Sequence, residues 1–264
     1  MPLKISHRTL YRYDAPVPYA LQRIRLEPQS GRTQTVLSWT LEIEGATEEV
    51  RFQDHFGNET RLLSVSDQPH AIEIIARGEV EVRDTAGVTG HHAGFVPLWL
   101  FRRETPLTAA GPLIRALAQD IPAGADLERL HHLSGRVRER VDYATGATDA
   151  ATGAEDAMER GQGVCQDHSH VFLAAARLLG FPARYVSGYL MLDDAVEQVA
   201  THAWAEAHVP DLGWVAFDIS NRIAPDGRYV RLATGCDYRD AMPVSGIRLG
   251  QAQERLEVHI TVEQ

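Results

Sequence analysis

The sequence predicts an α+β protein, in which a β-rich first hundred residues precede a helical segment and a second group of strands. Short runs of apolar–polar alternation fill the chain up to residue 82, and helical periodicity begins only after residues 97–106. These observations predict three regions. They are an N-terminal β-sandwich-like domain over residues 1–103, a core over 104–250, and a last strand over 251–264 that returns to a sheet.

The first domain is predicted from several short strands separated by turns. The strand candidates are 4–13, 37–44, 50–54, 60–65, 72–75 and 80–82. Within the second of these runs, alternation places four apolar residues on one face: Leu37, Trp39, Leu41 and Ile43. Short strands at this spacing are typical of a sandwich or barrel-like sheet.

Helices are predicted in the middle of the chain. Apolar residues at helical spacing indicate one helix near 113–121 and a second that starts at Asp126, a good N-cap, and reaches residue 141. Thr152 and Glu155 fit a capping box for a third, short helix that ends near Gly161.

The strongest helix prediction is Cys165–Leu179, which is rich in Ala and Leu and is followed by Gly180. Three further runs read as strands: 183–192, 202–209 and 214–220. Residues 210–213 predict a turn between the last two strands. Alternation over 256–262 predicts the final strand.

Cys165 is the first candidate for chemistry, because it lies at a predicted helix start directly after Gly161 and Gly163. A helix N-terminus and a neighbouring imidazolium both favour the thiolate, which is the nucleophilic form of cysteine. His202, on a following strand, is the candidate base, and Asp218, on the returning strand, is the candidate carboxylate that orients it.

His202 and Asp218 can contact each other in only one register of their two strands. If Val209 pairs with Gly213, then Asp218 lies diagonal to His202 at about 7–8 Å, which the two side chains can bridge. If Val209 pairs with Trp214, Asp218 falls on the opposite face of the sheet. We therefore predict an odd-length turn or a bulge in 210–213.

The sequence also contains a competing carboxylate and candidate oxyanion donors. Glu206 could compete with Asp218, but four residues along a strand separate it from His202 by about 13 Å. The backbone N–H of Cys165 is the expected first oxyanion donor, and Gln162 and Tyr143 are two candidates for the second.

A metal site is the weaker interpretation of the same region. His168 and His170 could join Cys165, but no second cluster with ligand spacing follows. We expect no metal and no cofactor. The pairs His91–His92 and His131–His132 are expected on the surface, and Cys236, Trp204 and Trp214 are expected to be structural.

Composition narrows the class of protein. The net charge of −10 disfavours nucleic acid as a partner. No run reaches the ~18 apolar residues of a membrane span, and the first residues do not resemble a signal peptide. A cytoplasmic protein with two free thiols and no membrane partner is therefore expected. Lys4 is the only lysine.

Several segments together resemble the bacterial transglutaminase-like superfamily. The core motifs are Gly163–His168, Arg177–Tyr189, His202–Glu206 and Gly213–Asp218, and the C-terminal signature is 235–238 with 243–246. Residues 5–13 and 54–58 resemble the β-domain that precedes the core in this family. Two positions depart from the family pattern: Ile219 stands where proline is usual, and Cys236 stands where a basic residue is common.

The resemblance implies a papain-like, transglutaminase-like core in which a helix-borne cysteine packs on an antiparallel sheet. It also implies a catalytic triad of Cys165, His202 and Asp218 that acts on amides of peptides or proteins. Hydrolysis, as in a cysteine peptidase or amidase, is expected ahead of amine transfer, as in a protein-glutamine transglutaminase. A non-catalytic binding module on the same fold is the remaining alternative. The oligomeric state is not predicted.

Overall fold

The computed structural model describes residues 2–65, 67–192 and 196–264 and has a mixed α+β fold. The strands of the first region are β1 (Leu3–Tyr13), β2 (Tyr19–Ile24), β3 (Gln34–Glu44), β4 (Thr47–Gln53), β5 (Glu59–Val65), β6 (Ala71–Val82) and β7 (Val88–Gly90). The helices are a 3-10 helix (Leu98–Arg102), α1 (Pro112–Gln119), α2 (Asp126–Arg140), α3 (Ala154–Arg160), α4 (Cys165–Leu178) and α5 (Tyr238–Ala241). The later strands are β8 (Asp142–Tyr143), β9 (Gln162–Gly163), β10 (Ala183–Leu190), β11 (Glu197–Gln198), β12 (His202–Val209), β13 (Gly213–Phe217), β14 (Tyr229–Gly235), β15 (Val244–Leu249) and β16 (Glu254–Glu263).

Two sheets form the N-terminal region, with the orders β11-β16-β1-β6-β3 and β15-β2-β5-β4. Apolar residues from both sheets, such as Ile74 on β6, Ile24 on β2 and Leu63 on β5, lie in one buried cluster. This arrangement agrees with the predicted sandwich-like domain. The predicted runs 72–75 and 80–82 are parts of one strand, β6. The sequence did not indicate seven of the strands, namely β2, β7, β8, β9, β11, β14 and β15.

The two regions exchange strands. β7 pairs with β13 in the core sheet, whereas β15 pairs with β2, and the C-terminal β16 pairs with β1 along its whole length. The predicted return of the last strand to a sheet is therefore seen. The boundaries at 103/104 and 250/251 stay a prediction.

The predicted apolar face of β3 is wrong at one residue. The β3–β6 register shifts between Val36 and Ser38, and this irregularity leaves Leu37 53% exposed. After the shift, Trp39, Leu41 and Ile43 pack against the core as expected. An extra residue in one strand rotates everything before it to the other face, and the alternation pattern does not reveal this.

The core sheet has the order β14-β10-β12-β13-β7, and helix α4 packs against it. Every residue of α4 from Asp167 to Arg177 is buried. Helices α1, α2 and α3 pack against α4 on its other sides, which explains why its polar residues are also enclosed. Among the described residues, no helix combines the length and apolar character that crossing a membrane requires.

The predicted capping box of α3 is formed by other residues. The N-cap is Gly153, and its N–H donates to the Asp156 carboxylate. The Glu155 carboxylate instead accepts hydrogen bonds from the backbone N–H groups at the start of α1, including those of Gly111 and Leu113. Tertiary contact thus takes Glu155 away from the local role that the sequence suggested.

Two amide side chains join the N-terminal region to the edge of the core sheet. Gln34 donates to the carbonyl of Arg231 at 2.9 Å and accepts from its N–H at 2.8 Å. Asn58 makes the same pair of contacts with Thr234, both at 2.8 Å. Each amide thereby occupies the hydrogen-bonding groups that a further strand would use along β14.

Candidate active site

Cys165 is the first residue of α4 and is partly exposed. The residue before it, Val164, has no side chain that can cap the helix. Its N–H instead donates to the Asp167 carboxylate at 2.7 Å, and the Thr148 hydroxyl donates to the same oxygen at 2.6 Å. A Cβ on Gly163 would lie 2.7 Å from the Asp167 side chain, so this position needs glycine. The cysteine is therefore held at a fixed helix start.

Asp167 was not identified as a site residue from the sequence, although an acidic residue at the third helical position is a known N-terminal signal. Burial raises the pKa of Asp167, and the hydrogen bonds from Thr148 and Val164 oppose that effect. We interpret Asp167 as a residue that positions the start of α4.

The hairpin of β12 and β13 has the register that the sequence required. Val209 pairs with Gly213, and three residues form the turn between them. Asp211 and Gly213 have left-handed φ values of 68° and 81°, which suit this short loop. The prediction of an odd-length turn is confirmed, and Asp218 comes to lie on the same side of the hairpin as His202.

His202 and Asp218 form a direct hydrogen bond. The Nε2–H of His202 donates to Oδ2 of Asp218 at 2.6 Å. Burial would lower the pKa of His202, but its hydrogen bonds to Asp218 and Cys165 outweigh that effect and raise the pKa to about 10. Because Nε2 is engaged by Asp218, Nδ1 is the nitrogen left for Cys165. The three predicted site residues thus lie together, with His202 hydrogen-bonded to Asp218 and close enough to Cys165 for the thiol to raise its pKa.

Asp218 is fully buried, and its carboxylate accepts four hydrogen bonds. Besides His202, the donors are the Tyr229 hydroxyl at 2.7 Å and, from Asn221, the side-chain amide at 2.7 Å and the backbone N–H at 3.1 Å. Burial would raise the pKa of Asp218, but these bonds, led by that from His202, hold it below its usual value. The environment keeps Asp218 ionised at neutral pH.

The sequence did not identify Asn221 or Tyr229. Asn221 could have been found, because asparagine three residues after an aspartate commonly makes local contacts of this kind. Tyr229 lies on β14, 11 residues after Asp218, and gave no signal. The unusual Ile219 is buried in the core cluster.

The alternative carboxylate and the histidine candidates have other partners. Glu206 is fully buried and forms ion pairs with Arg184 at 2.6 Å and Arg231 at 3.4 Å. The two ring nitrogens of His168 contact the Ser220 hydroxyl and the Val141 carbonyl. These contacts leave Glu206 unavailable to His202 and His168 unavailable to a metal ion.

His170 is also buried, and its Nε2 accepts the N–H of Tyr238. Within the described ranges, no three His, Cys, Asp or Glu side chains are grouped as metal ligands. Cys236 is buried, as expected, and burial raises the pKa of its thiol to about 11. The prediction that His91 and His92 both lie on the surface is wrong for His92. Its ring packs against Phe101 and accepts a hydrogen bond from the Trp214 indole.

Cys165 and His202 line an open cleft of about 760 Å³. Its lining includes Tyr143 and residues 197–201, the segment that leads into β12. Tyr143 is 49% exposed and, with Tyr185, lines the cleft. Gln162, the other candidate oxyanion donor, is exposed on β9 outside the cleft lining as described. An extended chain could therefore reach the sulfur from solvent.

Two family models match the chain. The transglutaminase-like superfamily core matches residues 115–219, and the bacterial transglutaminase-like N-terminal region matches residues 3–81. The first match spans Cys165, His202 and Asp218. The second covers most of β1 to β6, the strands assigned to the N-terminal domain.

Individual proteins are also similar to the chain. An uncharacterized protein of Mycobacterium leprae is 26% identical over 275 residues, which cover 98% of each chain. A protein-glutamine gamma-glutamyltransferase of Pseudomonas aeruginosa is 32% identical over 161 residues, or 52% of this chain and 23% of that protein. A crystal structure of a candidate cysteine protease from Cytophaga hutchinsonii has the same fold, with a TM-score of 0.78, 21% identity, and coverage of 100% of this chain and 91% of that one. The chain belongs to the transglutaminase-like superfamily and carries its bacterial N-terminal region.

Proposed function

We propose that this protein is a cysteine peptidase or amidase that cleaves amide bonds of peptides or proteins. The observation that carries the proposal is the His202–Asp218 hydrogen bond, with Cys165 and His202 together in the wall of one open cleft. Cys165 supplies the nucleophile, His202 carries the proton, and Asp218 holds the imidazole in one orientation. The scheme needs no cofactor.

In the first step, the Cys165 sulfur attacks the amide carbonyl carbon and the C–N bond then breaks. The His202 imidazolium gives its proton to the leaving amine, and a thioester remains on the enzyme. The backbone N–H of Cys165, at the start of α4, is placed to donate to the oxyanion. Tyr143 is the second donor in this proposal, because it lies on the cleft wall and remains half exposed.

In the second step, water attacks the thioester with His202 as the base, which releases the acid and restores the thiol. The open cleft admits water to the thioester. The alternative is attack by a primary amine, as expected of a transglutaminase, and the Pseudomonas relative favours it. The single lysine, Lys4, means that the chain offers almost no amine of its own for self-crosslinking. We place the protein in the cytoplasm in this proposal, with peptides and not nucleic acid as substrates.

A peptide-library assay read by mass spectrometry tests the proposal. The library is incubated with the protein, with and without an added primary amine, and with two variants. Cys165→Ala should abolish all product, whereas Cys236→Ala, which removes the other thiol, should retain it. Cleaved peptides support hydrolysis, and peptides that gain the amine support transfer instead. If neither cleaved nor amine-modified peptides appear while the Cys165 thiol is intact, the protein is a non-catalytic binding module.

A further inference from the structure

A second cavity adjoins the candidate active-site cleft. Its volume is about 160 Å³, and it shares residues 199–201 and Tyr238 with the cleft. Residues 199–201 lead directly into β12, whose first residue is His202. The two cavities are therefore neighbouring parts of one surface depression.

The second cavity is walled by both regions of the protein. β1 contributes His7, Thr9 and Tyr11, and β16 contributes Leu256 and Val258. The core contributes its wall from 199–201 and from residues around Pro243. The N-terminal region thus reaches the vicinity of the candidate site through β1 and its partner strand.

No charged side chain lines this cavity in the part of the chain that is described. His7 is buried, and burial lowers its pKa to about 4, so the ring is neutral at pH 7. Both of its ring nitrogens already have partners, the hydroxyls of Tyr189 and Thr9. Burial raises the pKa of Tyr11 and Tyr238, which are likewise neutral. The cavity lining is therefore neutral, although the chain as a whole carries a net charge of −10.

The rim is apolar and accessible. Val199 is 81% exposed and Leu256 is 51% exposed, and they stand on the core side and the β16 side of the cavity. Both side chains would lose contact with water if an apolar group entered between them. A cavity of ~150 Å³ with apolar walls holds a benzene ring, so this volume suits one large side chain.

We propose that this cavity is a specificity subsite that binds an aromatic or large aliphatic side chain of the substrate whose amide lies at Cys165. The inference rests on the proposed function. It assigns the N-terminal region a direct part in substrate selection. Peptides with an acidic or small side chain at the corresponding position would bind poorly.

The test measures Cys165 alkylation and so does not require turnover. The reagents are amides formed between iodoacetic acid and the amino group of phenylalanine, leucine, alanine or aspartate, and each is compared with iodoacetamide. The amount of labelled Cys165 is followed by mass spectrometry. The phenylalanine and leucine reagents should react about tenfold or more faster than the alanine reagent, a ratio typical of filling an apolar pocket. The aspartate reagent should be slowest.

Matched variants locate the preference. Leu256→Glu should abolish it while the rate with iodoacetamide stays unchanged, because Leu256 lines the cavity but not the cleft. Val199→Glu should also abolish it, and its rates are compared with its own iodoacetamide rate because Val199 lines the cleft as well. Val196→Glu is the control, because Val196 is 50% exposed in the same segment and lines neither cavity as described. Equal rates for all reagents, or a preference that survives both cavity variants, would overturn the subsite.

The subsite and the proposed function can fail separately. Peptides that are cleaved without any preference for apolar side chains would refute the subsite and leave the peptidase proposal intact. A clear alkylation preference without cleavage or amine transfer would support the subsite and refute the proposed function.

Discussion

The substitution Asp218→Asn tests the proposed site most directly. All four hydrogen bonds at this carboxylate come from donors on three residues, His202, Asn221 and Tyr229. An amide nitrogen in place of either oxygen therefore faces a donor. If it faces His202, the imidazole must accept at Nε2, which puts its proton on Nδ1, next to Cys165. His202 then cannot take a proton from the thiol.

The size of the effect follows from the hydrogen bond that is lost. A bond to a charged group contributes about 1.5–3 kcal/mol, which corresponds to a factor of roughly 10–150 in the population of the imidazolium. Iodoacetamide labelling of Cys165 at pH 5.5 should slow by that factor. Turnover should fall further, by ~10⁴, because the wrong tautomer also blocks proton transfer. Breaking the buried pair should also cost about 3 kcal/mol of stability.

The assay is the second-order rate of Cys165 alkylation between pH 5 and 9, with circular dichroism to show that the variant is folded. Asp226→Asn is the control, since Asp226 is a partly exposed carboxylate that pairs with Arg228 outside the site. An Asp218→Asn protein that keeps the wild-type rate at pH 5.5 would refute the role given to Asp218.

Three further predictions can be tested independently. Tyr143→Phe should lower peptide turnover about 100-fold by removing an oxyanion donor and leave Cys165 alkylation unchanged, whereas Gln162→Ala should affect neither. Arg177→Met should lower the free energy of unfolding by about 3 kcal/mol or more, seen as a lower denaturant midpoint, because the buried guanidinium binds the carbonyls of Ala183 and Cys236. Burial lowers the pKa to about 4 in three histidines, His7, His168 and His170. Since an unfolded histidine titrates near 6.5, they stabilise the fold above that pH, and thermal melts should show stability falling below it by at most about 4 kcal/mol per pH unit. A melting temperature that is constant from pH 7 to 5 would contradict this.

The sequence predicted the candidate site better than its surroundings. Cys165 could be found because a helix start has local signals, and the His202–Asp218 contact could be found because a hairpin fixes its own register through its turn. The residues that hold Asp218 were harder, because Tyr229 arrives from a different strand. Glu155 was also hard to assign. Its local pattern predicted that it caps α3, the helix to which it belongs, but in the fold it caps the start of α1.

The outer strands were the least predictable part of the fold. β2 and β15 pair with each other although they are far apart in sequence, and neither has strong alternation. Leu37 fits a perfect period-two pattern, yet a register shift exposes it. Such features depend on which strands meet, and local sequence carries little information about that.

The position of β16 has a consequence for how the chain is assembled during synthesis. β16 lies between β1, made first, and β11, whose residues 197–198 line the cleft beside Cys165. β1 can pair with β6 earlier, but β11 has no strand to pair with in the described part of the chain until residues 254–263 have left the ribosome. Because contacts between such distant segments form late, the core can collapse around α4 before its cleft is walled on that side. We therefore expect a nascent chain to acquire a competent cleft only after residues 254–263 have been made, which would limit any premature cleavage of neighbouring polypeptides.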